Sequence, residues 1–163
     1  MMEGKVWILG DNIDTDLIVP GQYLDAPIED VTRHVFESIK PGFSSQVEKG
    51  DIIVGGKNFG CGSSRENAPL ALKTLGIACI AADSFARIFF RNAIAIGLPV
   101  VMCRDISKHF SEASRARIDF RTATIENSET GSKIKGEPFP EEIITMLEKG
   151  GIMELLKAER KKQ

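Results

Sequence analysis

Apolar positions along the chain alternate between two kinds of pattern, and the changes of pattern predict its elements. Four short apolar runs, VWIL at 6–9, DIIV at 51–54, IACIAA at 77–82 and VVM at 100–102, are too short for buried helices. They read as strands covered on both faces. Between them the spacing turns helical. Ile28, Val31, Val35, Phe36 and Ile39 share one face of a segment that Pro41 and Gly42 stop. Leu70, Leu72 and Leu75 fall on a helix that follows the second strand. FARIFFRNAIAI at 85–96 reads as a helix capped by Ser84 and closed by Gly97, with Pro99 just beyond.

Strands separated by helices predict an α/β fold with a mostly parallel sheet and right-handed crossovers. From residue 115 the period changes to two. ARIDFRTATIE alternates, the turn ENSETGSK follows, and one more short strand completes a set that reads as antiparallel and half exposed. Pro138 and Pro140 precede two short C-terminal helices, interrupted at Gly150 and Gly151. No repeat, low-complexity segment or linker divides the chain, so residues 1–163 read as one domain.

Composition narrows the function. A formal charge of −2 gives no general attraction to nucleic acid or anionic lipid, and the basic KAERKKQ end reads as a solvated helix terminus. The first apolar run has only four residues, short of a signal peptide, and no stretch approaches the roughly 18 apolar residues of a membrane span. Cys61, Cys79 and Cys103 are odd in number and irregularly spaced, which argues against a disulfide framework and for a reducing, cytoplasmic setting.

The chemistry concentrates in GGKNFGCGSSRENAP at 55–69. Gly55, Gly56, Gly60 and Gly62 are expected to let the backbone reach positive φ and approach a ligand with no Cβ in the way. Ser63 and Glu66 fit the S-x-x-E capping box, so a helix is expected to begin about here, with free N–H groups and a partial positive charge at its start. Arg65 adds a cation whose fork suits a carboxylate or phosphate. An ordinary capped helix with a solvated Arg65 is the competing account; the convergence of four glycines and an arginine on one cap favours an anion site with two hydroxyls, Ser63 and Ser64. Other motifs fail. Cys61 follows Gly60 where a Walker A loop needs lysine, and it stands between glycines where a nucleophile elbow needs serine. Neither His34 nor His109 is tied to the loop as the base a cysteine nucleophile needs.

This stretch, SFARIFFRNAIAIGLP at 84–99 and DNIDTD at 11–16 together resemble the small subunits of the aconitase family, above all those of 3-isopropylmalate isomerase (dehydratase) and homoaconitase. The similarity runs from about residue 6 to the C-terminal helices. It implies the swivelling β/β/α domain of the aconitase type, docked on a large subunit that carries a 4Fe–4S cluster, with the active site between the two and no activity for this chain alone. It implies Ser63 as the catalytic base and Ser64 and Arg65 as substrate contacts, and it places the specificity loop at Tyr23, Leu24, Asp25 and Ala26. No metal is expected on this chain: Cys79 and Cys103 lie in apolar runs, and no Cys-x-x-Cys pair is present.

Two positions depart from the family pattern. Asn67 stands where a histidine is usual, keeping hydrogen bonding without a titratable group. Asp25 follows Tyr23-Leu24 where homoaconitase-type members carry arginine; an aspartate facing the pocket would repel an acidic substrate arm, while Ala26 and Pro27 would tolerate an alkyl one. The resemblance therefore implies interconversion of 3- and 2-isopropylmalate in leucine biosynthesis, with homoaconitate- or methylmalate-type substrates, or a non-catalytic anion-binding module, as alternatives. Asp14, Thr15 and Asp16 read equally as turn formers or as cleft residues. Arg87 and Arg91, four apart on one helix, read as substrate or partner contacts or as salt-bridge residues.

Overall fold

The computed structural model describes residues 1–163. Strand β1 (Met2–Ile8) is the seam of a seven-stranded mixed sheet. Its C-terminal half runs parallel to β2 (Ile52–Gly55), in the register Val6–Ile52, Trp7–Ile53 and Ile8–Val54. Beyond β2 lie β3 (Cys79–Ala82) and β4 (Val100–Met102), also parallel. On the other side, the N-terminal half of β1 pairs antiparallel with β5 (Arg115–Asp119), which leads to β6 (Thr124–Asn127) and β7 (Lys133–Lys135). The sheet is thus parallel on one side of β1 and antiparallel on the other. Strand β1 also starts earlier than its apolar run suggests, because residues 2–5 are held by pairing to β5 rather than by burial.

Alternate residues of the parallel strands enter different cores, which explains their unbroken apolar runs. Ile53, Ile80, Ala82 and Val100 face one core; Ile52, Val54, Cys79, Ala81 and Val101 face the other. The first is closed by α2 (Ile28–Val31), α3 (Phe43–Gln46), α4 (Asn67–Thr74) and α5 (Arg87–Ala95), by Leu147 of α6 (Glu141–Lys149) and by Ile18 of one further short helix. The second is closed by Ile106 and Phe110 and by Ala116, Ile118 and Ile125 from the antiparallel strands. Helix α7 (Ile152–Arg160) follows α6 across the Gly150-Gly151 break and buries none of its residues. A last short helix, α1 (Thr15–Ile18), begins inside DNIDTD.

The expected helix over 28–39 is not continuous. After Val31 comes a single 3₁₀ turn, Thr32–His34, and Phe36 then takes a left-handed φ of 57°. Burial supplies the reason. The kink sends both Val35 and Phe36 into the core, where the Phe36 ring meets Phe43 edge-on at 5.0 Å, and leaves Ile39 partly exposed. Packing a whole Phe side chain offsets the roughly 1–2 kcal/mol of a left-handed residue. Ser84 is no helix cap either. Its hydroxyl accepts the Asn58 N–H at 2.8 Å, and α5 begins at Arg87 without a side-chain cap.

Candidate active site

Three segments distant in sequence are stitched together at the parallel end of the sheet. The glycine-rich loop leaves β2 and runs beside DNIDTD, bonded by Asn12 N–H to the Lys57 carbonyl (2.7 Å), Gly60 N–H to the Ile13 carbonyl (2.7 Å) and Thr15 N–H to the Cys61 carbonyl (2.8 Å). On its other side Phe59 N–H donates to the Ser84 carbonyl and Ala86 N–H to the Phe59 carbonyl. The quoted motifs are therefore one structure, two short strips of bridging backbone around a central loop.

Gly60 and Gly62 do adopt left-handed φ angles of 84° and 92°. The space beside the glycines, however, is filled by the protein itself and not left for a ligand. A Cβ on Gly60 would collide with Phe89, one on Gly62 with the Asp14 carboxylate, one on Gly56 with Asp11 and one on Gly55 with Phe59. These glycines let the loop sit tightly on its own supports, which fixes where the following residues stand.

The expected capping box does not form. Helix α4 starts at Asn67 with Glu66 as its N-cap residue and no side-chain cap, and Pro69 falls in the first turn, where a missing N–H is harmless. The buried Thr15 hydroxyl donates to the Ser63 carbonyl at 2.8 Å and holds the chain out of helical geometry. One consequence follows for the backbone: no N–H from Gly62 through Asn67 donates to an acceptor within the chain. Six consecutive donors therefore lie free where Ser63 and Ser64 are exposed. Such a run, ending at a helix N-terminus, favours a negative charge.

Arg65 lies beside these donors, 14% exposed, with its guanidinium paired to the Asp16 carboxylate and bonded to the Val19 carbonyl at 3.0 Å. Asp14 accepts the Asp16 N–H at 2.7 Å and so caps α1. The DNIDTD acids are thus both turn formers and supports of the arginine. Ser63, Ser64 and Arg65 border two adjoining openings. One, about 240 Å³, is also lined by Thr15, Arg87 and Asn92. The other, about 590 Å³ and wider, is lined by Leu24, Glu66 and Asn67.

Of the specificity-loop residues, only Leu24 reaches these openings. Tyr23 stacks flat on His34 at 3.7 Å, Ala26 packs towards the core, and Asp25 is exposed and lines neither opening. Asn67 contributes what its sequence position did not suggest: its Nδ2 donates to the Leu24 carbonyl at 3.4 Å, fastening the specificity loop to the start of α4. Arg87 and Arg91 part company. Arg87 lines the smaller opening, whereas Arg91 borders an apolar groove with Ile94, Ile143 and Met146, and neither forms an ion pair. Sequence reasoning missed Asn92, which follows Arg91 on α5 and lines the smaller opening with Arg87; nothing in its local sequence marks it.

The cysteines do not converge on a cluster site. Cys79 and Cys103 are buried in the second core and Cys61 lies in the loop; no group of three His, Cys, Asp or Glu side chains is placed to hold a metal ion. Burial, with the Asp14 carboxylate beside it, pushes the Cys61 thiol up. The thiolate is the reactive form, so Cys61 should alkylate more slowly at pH 8 than a free thiol. Asp14→Asn removes a charge that opposes the thiolate, lowers that pKa and should speed the reaction. Mass spectrometry after timed iodoacetamide treatment checks this, and an unchanged rate would remove Asp14 as a cause.

Comparison with known proteins agrees with this fold. Residues 18–105 match the aconitase C-terminal domain family. A 3-isopropylmalate dehydratase small subunit of Methanopyrus kandleri is 46% identical over 160 residues, covering 98% of this chain and 94% of the relative. A homoaconitase small subunit of Methanothermobacter thermautotrophicus is 50% identical over 154 residues, covering 94% and 89%. An isopropylmalate/citramalate isomerase small subunit of Methanocaldococcus jannaschii is 48% identical over 158 residues, covering 96% and 94%. The crystal structure of a 3-isopropylmalate dehydratase from the last organism superposes with a TM-score of 0.91 at 36% identity, covering 98% of this chain and 95% of that one. The chain belongs to the aconitase family, in its group of 3-isopropylmalate dehydratase and homoaconitase small subunits.

Proposed function

We propose that this chain is the small subunit of a hydro-lyase that interconverts 3- and 2-isopropylmalate in leucine biosynthesis, working with a large iron–sulfur subunit. The observation that carries the reading is the run of six free N–H groups from Gly62 to Asn67 around two exposed hydroxyls, next to a fixed guanidinium. A substrate carboxylate laid against those donors and Arg65 would present its α-carbon to Ser63. Ser63 Oγ takes the α-proton, and the electron pair left on carbon forms the double bond as hydroxide departs from the neighbouring carbon. Water then adds back with the opposite regiochemistry. A serine alkoxide is a strong and unstable base, so it needs preorganised donors in a site closed to water. The free N–H groups, the start of α4 and Arg65 provide such a field. Departure of hydroxide calls for a Lewis acid; this chain's side chains do not fit one, and the 4Fe–4S cluster is assigned to the large subunit.

Leu24 supports an alkyl-bearing substrate. It is the apolar side chain lining the wider opening, and residues 21–27 contain no cation that would hold an acidic arm. The reading is tested on the complex co-expressed anaerobically with the large subunit from the same genome, assayed with isopropylmalate, methylmalate (citramalate), homocitrate and citrate. Isopropylmalate is expected to give the highest kcat/KM. A preference for homocitrate would change the substrate, and an intact complex with its cluster that turns over none of them would leave an anion-binding module.

A further inference from the structure

Within the reading above, we propose that Arg87 is the second substrate-holding cation of the site, taking the carboxylate that Arg65 and the free N–H groups do not. The inference rests on that reading, since it needs a substrate with two carboxylates. Charge counting leads to it. On this chain, the opening beside Ser63 is lined by only two charged side chains, Arg65 and Arg87; the remaining lining, including Thr15, Ser63, Ser64 and Asn92, is neutral. Arg65 is already committed to Asp16 and to the Val19 carbonyl, and it stands beside the N–H run, so one carboxylate accounts for both. The specificity loop carries no cation, and its one acid, Asp25, lines neither opening.

Arg87, by contrast, is exposed and forms no ion pair. Its setting gives it no structural reason to be a cation. It is the first residue of α5, where the helix dipole favours acids and disfavours bases, and the first turn of α5 holds no acid to compensate. Its position is nevertheless well defined. The preceding residue, Ala86, donates its N–H to the Phe59 carbonyl at 2.9 Å, and Phe89 one turn on packs against Phe59 with ring centroids 5.5 Å apart. The loop that carries Ser63 therefore also carries the anchor of Arg87, and the two are set relative to each other by the same contacts. Arg91 on the next turn faces the apolar groove and supplies a matched control.

The test compares Arg87→Gln, Arg87→Lys and Arg91→Gln in the co-expressed complex, with KM and kcat for isopropylmalate and the subunit ratio by size-exclusion chromatography. Arg87→Gln should raise KM at least tenfold, by more than it lowers kcat, with the complex intact; Arg87→Lys should fall between it and the parent, and Arg91→Gln should match the parent. An unchanged KM in Arg87→Gln overturns the proposal, as does a loss confined to subunit association, which would make Arg87 an interface residue. Equal KM increases in Arg87→Gln and Arg91→Gln would also overturn it, leaving only a general field of positive charge. A parent complex that turns over no hydroxy dicarboxylate fails the functional reading itself, and is distinguished from these outcomes by the parent's own rate.

Discussion

Ser63→Ala is expected to lower kcat of the assembled enzyme by about 10³-fold, within the 10²–10⁴ range that a positioned general base contributes. The same change should leave the fold and the complex unaltered. Ser63 is exposed, its hydroxyl has no hydrogen bond within the chain, and the bond it shares with Thr15 uses the backbone carbonyl, which alanine keeps. Structural and chemical losses are therefore separable at this position. The measurement is kcat with isopropylmalate on complexes matched for subunit ratio and cluster content, beside the urea midpoint of the small subunit. A kcat within tenfold of the parent would remove Ser63 as the base. Ser64→Ala makes a useful companion: a substrate contact that is not the base should show its loss mainly in KM.

Gly60→Ala should produce the largest loss of stability of any single methyl added to the loop. Two costs coincide there. A φ of 84° puts an alanine in left-handed backbone, at roughly 1–2 kcal/mol. The new methyl would also run into the Cβ and ring of Phe89, a core residue only 3% exposed, and overpacking of that kind costs about 1–3 kcal/mol. A total of roughly 2–5 kcal/mol is expected, read as a fall in the urea midpoint of the purified chain. Gly131 separates the two costs. Its φ of 74° is similar, yet nothing lies within 4 Å of its would-be Cβ, so Gly131→Ala should show the backbone cost alone. Equal midpoints for the two variants would mean that Phe89 moves aside freely and that the loop is not anchored as described. The functional corollary is direct, because Gly60 and Phe89 hold the loop that presents Ser63.

Much of this protein could be read from its residues in order. The runs at 51–54, 77–82 and 100–102 became β2, β3 and β4, the alternation after residue 115 became β5 and β6, and the Gly150-Gly151 break fell between α6 and α7. These features are local: a strand buried on two faces needs apolar residues without interruption, and one buried on a single face needs them in alternation. The family, too, was legible, because NFGCGSSRE, SFARIF and DNIDTD are specific strings. Where the reading failed, a distant group had claimed an atom that looked locally committed. The Ser63 carbonyl went to Thr15 and the Ser84 hydroxyl to Asn58, so neither serine caps a helix. Phe36 broke a well-formed helical pattern because the core beside Phe43 offered more than a further turn of helix could.

What the amino-acid order determined by itself is thus the set of elements, the family, and the concentration of hydroxyls, glycines and arginine in one loop. Tertiary structure alone decided how those parts are used. It filled the space beside the glycines with Phe59, Phe89, Asp11 and Asp14, tied Arg65 to Asp16, fastened Leu24 to Asn67, and turned Arg87 and Arg91 to different surroundings. The physical reason is range. Hydrophobic period and turn chemistry act over a few residues along the chain, whereas a hydrogen bond, an ion pair or a steric limit belongs to whichever group folding brings within about 4 Å, however far away it lies in sequence.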